Sequence, residues 1–317
     1  MGLIAHPVIP NEDCTLATCS LQQAHYQYLP SLAGNALYVS IFSILLLFQL
    51  FLGYKSKAWG FAIGMVCGVV LEVVGYVGRI QMHSNPFIDK GFLSSLVTLT
   101  IAPAFLAASI YLCLARLIVV YGESISRVKP RTYAILFMSC DFISLLLQAA
   151  GGAIAASSDT AKDIDLGVNI MIAGLSFQVV SLLLFIGLCC DFAWRVRKAA
   201  ELELNERFAA LRYSRRFRAF LVCLGIATIA IFIRSVFRVA ELSDGFHGKL
   251  ANQEVTFMIL EGAMIIIAVS AMTIMHPYFS FGGAWAEAAW SLRARKGVEA
   301  GVGGSKSRGS VQSVEMK

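Results

Sequence analysis

The sequence predicts an all-α fold, a polytopic membrane protein with seven transmembrane helices. Three observations carry that reading. Hydrophobic residues make up 57% of the 317-residue chain and charged residues 15%, and the mean hydropathy is +0.70, whereas soluble domains carry about 25% charge. Seven apolar runs reach the roughly 20 residues a helix needs to cross a bilayer. Lys and Arg sort to alternate connections between those runs, as the inside and outside loops of a membrane protein do.

The runs lie near 32–53, 60–80, 93–120, 132–156, 167–192, 219–239 and 256–279. The third contains Pro103, which removes one helical hydrogen bond and is expected to kink it. Tyr54, Trp59, Tyr121, Tyr133, Trp194 and Tyr278 fall at the ends of runs, where amphipathic rings sit at the membrane interface. One set of connections carries Lys55 and Lys57, then Arg127, Lys129 and Arg131, then the dense group from Arg195 to Arg218, then the C-terminal tail. The opposite set carries Lys90, Lys162 and Lys249. The bias predicts an extracytoplasmic N-terminus and a cytoplasmic C-terminus.

Three regions follow. Residues 1–30 are expected to form an extracytoplasmic tail, 31–280 the membrane domain, and 281–317 a cytoplasmic tail that is disordered from about 297, where Gly, Ser and charge dominate. Residues 1–30 lack a basic n-region and an apolar core, so the first membrane helix is expected to target the chain. The connection from 195 to 218 mixes both charges and reads as a cytoplasmic extension of the fifth helix, its basic residues serving as topology signals or touching anionic lipid. Nothing in this charge pattern points to a nucleic-acid partner. Six of the eight cysteines lie in apolar runs and read as small hydrophobes. Cys14 and Cys19 stand in the polar tail, where pairing and free thiols are both open.

The chemistry sits inside the runs. Arg234, Arg238 and Glu241 occupy i, i+4 and i+7 on the sixth helix, and so share a face. Glu254 and Glu261 repeat that spacing on the seventh. A guanidinium inside a bilayer costs several kcal/mol unless a carboxylate or water meets it, so these groups predict a buried seam between the two helices. The second helix carries Gly60, Gly64, Gly68, Glu72, Gly75, Tyr76 and Arg79 along one stripe, which allows another helix to approach closely. Glu72 reads either as a structural ion-pair member or as a carboxylate that titrates or binds a cation in a cavity. Arg116 on the third helix reads as a snorkelling side chain. Asp141, Gln148, Gly151 and Gly152 on the fourth helix and Gln178 on the fifth read either as interhelical glue or as a polar path.

Depth orders these groups. In the predicted orientation Glu72, Arg79, Arg234, Arg238, Glu241, Glu254 and Glu261 lie in the outer halves of their helices or at the outer rim, and Asp141 and Gln178 nearer mid-membrane. A cavity opening outward is therefore expected. Enzymatic readings fall away. The five histidines are scattered without metal-ligand spacing, Gly303-Gly-Ser-Lys306 only imitates a phosphate loop, and there is no Gly-x-Ser-x-Gly elbow. No metal and no cofactor are implied.

In combination these motifs resemble the fungal lipid-translocating exporter family, the RTA-like proteins tied to aminocholesterol resistance, sphingoid long-chain-base export and porphyrin uptake. The matching pieces are Glu72-Val-Val-Gly-Tyr76-Val-Gly-Arg79, Ala102-Pro-Ala-Phe-Leu-Ala-Ala-Ser-Ile-Tyr111 with Arg116, Asp141 to Gly152, Gly174-Leu-Ser-Phe-Gln178, Arg234-Ser-Val-Phe-Arg238-Val-Ala-Glu241, and Glu254. Glu261 departs from the family pattern, which implies Asp there. The resemblance covers roughly residues 30–280 and implies a multi-pass plasma-membrane protein that exports amphipathic lipids such as sphingoid long-chain bases, contributing to resistance to toxic amphiphiles. Its partners would be membrane lipids and an amphipathic substrate, and vacuolar or other internal membranes are alternative locations. A different reading keeps the seven helices but makes the protein a lipid receptor that does not transport. Arg116 after Ala115, and His276-Pro277-Tyr278 at the end of the seventh helix, lack the usual receptor signatures.

Overall fold

The computed structural model describes residues 14, 19, 28–87, 89–158, 160–200, 204–243, 248, 250, 252–282, 284, 285, 287 and 288. Seven of its helical segments are long and apolar enough to cross a membrane. They are α1 (Leu32–Ser56), α2 (Trp59–Ser84), α3 (Asp89–Tyr121), α4 (Pro130–Ser157), α5 (Ala161–Lys198), α7 (Arg215–Ser243) and a composite seventh segment. That last one begins as α8 (Glu254–Phe257), passes through a π-helical turn at Met258–Ala263, and continues as α9 (Met264–Ile274). The expected disordered tail lies outside the described residues, as does most of the 1–30 tail.

Local chemistry sets the ends. Ser31 caps α1 by accepting from the Gly34 N–H, and Thr160 caps α5 by accepting from Asp163. Pro130 opens α4 in the first turn, where its missing N–H removes no helical bond. The expected unbroken run to residue 279 is instead interrupted. Pro277 cannot donate into the preceding helix, so it starts a separate α10 (Pro277–Phe281), whose N-cap His276 accepts from the Tyr278 N–H at 3.1 Å. The expected helical extension from 195 to 218 is also corrected. Helix α5 stops at Lys198, and the short α6 (Ala209–Tyr213) follows a single 3-10 turn. That turn folds back under α3, with the Asn205 N–H donating to the Tyr121 carbonyl.

Consecutive helices pack as antiparallel neighbours, and contacts between α5 and α7, α7 and α9, and α1 and α9 complete the bundle. Helix α3 touches α2, α4 and α7. The α2–α3 seam is close because α2 offers glycines. A Cβ on Gly75 would stand 2.5 Å from Leu99 Cδ2, and one on Gly64 2.9 Å from the Phe105 carbonyl. Gly68 faces Leu106 the same way, while Gly60 is looser. In lipid, where burying apolar surface drives little association, such close backbone approach supplies the packing energy. Helix α1 buries Asn35, Phe42, Gln49, Leu52 and Gly53 and shows Leu47, Phe48 and Phe51 outward, as a lipid-facing helix does.

Candidate functional site: a buried charged seam

The seam expected between the sixth and seventh helices exists. Arg234 and Glu261 are buried, 2% and 1% exposed, and pair at 2.5 Å. Arg238 and Glu241 pair at 2.5 Å one turn along α7. The arginines also reach α3. Arg234 donates to the Leu99 carbonyl, and Arg238 donates to Thr100 Oγ1 at 3.3 Å. Leu99 lies four residues before Pro103, so its carbonyl is the one the proline deprives of a helical N–H. Helix α3 runs through Pro103, and the acceptor that the proline frees is satisfied by a guanidinium, a partner that the expected kink does not specify.

Glu261 sits within the π-helical turn. The wider turn leaves carbonyls out of α-helical register, and Tyr38 of α1 donates to that of Met258 at 2.7 Å. Gly262 is indispensable to this approach. A Cβ there would stand 2.5 Å from the Tyr76 hydroxyl and would overlap the Tyr38 ring. Tyr76 in turn packs edge-on against Tyr38 and stacks on Phe42, with centroids 5.1 and 5.6 Å away.

Glu72 lies in the same seam, 1% exposed, within the fields of Arg234, Glu261 and Arg238. Among the described residues, none donates a hydrogen bond to either of its oxygens. Both nearby guanidiniums are engaged, Arg234 with Glu261 and Leu99, Arg238 with Glu241 and Thr100. Arg79, two turns further along the same face of α2, donates to the Tyr28 hydroxyl at 2.6 Å and lies 4.0 Å over the Phe257 ring. Burial pushes the Tyr28 hydroxyl up in pKa, against the pull of Arg79 beside it.

Glu254 is placed elsewhere. Its carboxylate accepts from the Ser31 N–H at 2.5 Å and so ties the seventh segment to the start of α1. Asp141 also stands apart from the seam, accepting from the Tyr111 hydroxyl at 2.9 Å. The amides form a separate α4–α5 cluster. Gln148 donates to Ser144 at 2.8 Å and to Gln178 at 3.3 Å, and Ser144 donates to the Gly174 carbonyl at 2.6 Å. Gly151 is the tight point of that contact, its added Cβ falling 2.5 Å from the Gly167 carbonyl, whereas Gly152 has room. Cys14 and Cys19 are joined by a disulfide, and Cys14 packs on Phe87.

Arg116 finds a partner that the snorkelling reading does not name. It stacks 4.1 Å over the Trp285 ring and donates to the Trp285 carbonyl, drawing the start of the C-terminal tail against the bundle. The seam is closed, and the large described cavity, about 550 Å³, lies at the opposite ends of the helices, between α3, α5 and α7.

A family model described as RTA1 like protein matches residues 65–284, the whole of this seam included. The chain belongs to the RTA1-like family. RTA1-like relatives in Saccharomyces cerevisiae include the sphingoid long-chain base transporter RSB1, 34% identical over 281 residues, covering 80% of this chain and 73% of the relative. Protoporphyrin uptake protein 1 is 27% identical over 65% of each chain, and protein RTM1 is 29% identical over 63% of this chain and 62% of its own. No solved structure matches. This RTA1-like chain is therefore an integral membrane protein related to a sphingoid-base transporter.

Proposed function

We propose that this protein exports amphipathic lipids with a cationic amine, sphingoid long-chain bases being the type, and that Glu72 is the group that meets the amine. The carrying observation is the Glu72 carboxylate itself, buried, within the fields of two arginines, and without a hydrogen-bond donor among the described residues. A buried carboxylate left unpaired is costly. It gains most from whatever brings it a positive charge, either a proton or an ammonium group. The sphingoid-base transporter among the relatives supports the substrate class.

The charge arrangement supports a gate. An arriving amine competes with Arg234 for Glu261 and supplies Glu72 with a counter-charge. Separating the π-helical turn at Met258–Ala263 from α7 breaks one buried pair, and the amine replaces the lost partner. The arginines remain ionised throughout, and the carboxylates carry the protons. The seam's position follows from the orientation read from the basic residues, with the N-terminus outside, the C-terminus in the cytoplasm and the plasma membrane as the location. On that orientation the seam lies in the outer half of the bilayer, where release outward is short.

Release of a labelled sphingoid base from cells with and without the protein tests the reading. Faster release in its presence is expected. Equal release overturns export, and saturable binding without release favours a lipid receptor instead.

A further inference from the structure

The cavity between α3, α5 and α7 is distant from the charged seam, and its shape follows from the way α5 and α7 diverge. Near the start of α5 and the end of α7 the helices are held together by Met171, Leu175 and Leu242. Toward the end of α5 and the start of α7 they separate, leaving about 550 Å³ walled by Leu114, Leu117, Phe185, Leu221 and Leu224. Small-ligand sites span roughly 300–1,000 Å³. Gly225 also lines the space, and a Cβ there would meet nothing within 4 Å. Val222 and Cys190 on its wall are exposed, so it opens sideways onto the lipid-facing surface.

The rim is basic. Arg197 lines it and is exposed. Among the described residues no carboxylate pairs with it; the acid nearby in sequence, Asp191, is taken by Arg127 and Arg195. The charges of Arg212 and Arg218 reach the hydroxyl of Tyr121, which lines the same rim. Helix α5 ends on Arg195, Arg197 and Lys198, and α7 opens on Arg215, Arg216 and Arg218 with no acid in its first turn. Apolar walls under a rim that carries Arg197, with Arg212 and Arg218 near it, suit a ligand with a hydrocarbon chain and an anionic head, and guanidinium geometry suits phosphate. A cationic amine is repelled there.

We infer that this cavity holds one chain of a phosphate-bearing anionic membrane lipid, with its headgroup on Arg197 and the Tyr121 hydroxyl. The site is independent of the Glu72 seam and opposite to it in charge preference, so a failure of the export reading leaves it standing.

The test is lipid retention by the full chain in phosphatidylcholine nanodiscs containing a minor fraction of phosphatidic acid, read by native mass spectrometry. Phosphatidic acid should be retained about tenfold over phosphatidylcholine at equal mole fraction. Arg197→Gln should reduce that preference. Gly225→Phe fills the cavity from a position with open space, and should abolish retention without lowering the unfolding temperature. Equal retention of the two lipids, or undiminished retention in a folded Gly225→Phe protein, overturns the inference. So does inorganic phosphate binding as tightly as the lipid, because the chain would then contribute nothing.

Discussion

Arg234 donates to the carbonyl of Leu99, the acceptor that Pro103 leaves without its helical partner. Two features that are each unfavourable in a membrane, a buried guanidinium and a proline inside a helix, satisfy one another. The pairing ties α7 to α3 at the level where the π-helical turn brings Glu261. It also ties the charged seam to the Gly75 contact, since Leu99 is the residue that packs into the space Gly75 leaves.

The first prediction is a coupling between residues 103 and 234. Pro103→Ala restores the N–H that Leu99 needs, so Arg234 loses exclusive use of that carbonyl. In a double-mutant cycle on unfolding, Pro103→Ala and Arg234→Met should interact by about 0.5–3 kcal/mol. Effects that add within about 0.5 kcal/mol would show the two sites to be independent.

Removing one partner of the Arg234–Glu261 pair should be worse than removing both. Arg234→Ala strands a buried carboxylate and should cost about 3–5 kcal/mol. The pair Arg234→Met with Glu261→Leu should recover most of that loss, measured as thermal unfolding in detergent. An equal loss in the single and double variants would contradict a desolvated pair.

Gly151 and Gly152 should behave differently although they are adjacent. A Cβ at Gly151 meets backbone of α5, and at Gly152 the nearest atom is the Met171 sulfur at 3.7 Å. Gly151→Ala should lower the unfolding temperature and Gly152→Ala leave it unchanged or raise it, since Gly→Ala inside a helix is worth about 1 kcal/mol. Equal effects would place the α4–α5 contact elsewhere.

Glu254→Ala should separate structure from transport. The carboxylate holds the Ser31 N–H and lies outside the Glu72 seam. Losing a charged hydrogen bond costs about 1.5–3 kcal/mol, and hydrogen exchange should rise at the start of α1. Release of sphingoid base should persist. Loss of release with unchanged exchange would return Glu254 to the seam.

These contrasts show what the residue pattern carried and what it did not. The helices were legible because each apolar run is long and the basic residues alternate. The shared face of Arg234, Arg238 and Glu241 was legible because α7 is a regular helix. Glu254 and Glu261 were read at α-helical spacing, and the π-helical turn at Met258–Ala263 breaks that register and sends the two carboxylates to different partners. Hydrogen bonds between distant elements left no local trace. Asp141 finds Tyr111, thirty positions back, and Gln49 of α1 finds Thr273 at 2.8 Å. Trp285 lies in what reads as a cytoplasmic tail, although Phe61, Phe281 and Arg116 all contact its ring. The cavity between α5 and α7 depends on helix divergence, which no residue spacing encodes.

The central claim is that Glu72 handles the substrate's charge. The direct measurement is the rate of labelled sphingoid-base release from cells carrying Glu72→Gln, compared with the unaltered protein at equal surface abundance and with cells lacking it. Gln keeps the shape and removes the buried charge, so the unfolding temperature should hold or rise while release falls to the level of cells without the protein. A folded, surface-resident Glu72→Gln protein that releases the base at the unaltered rate would contradict the account.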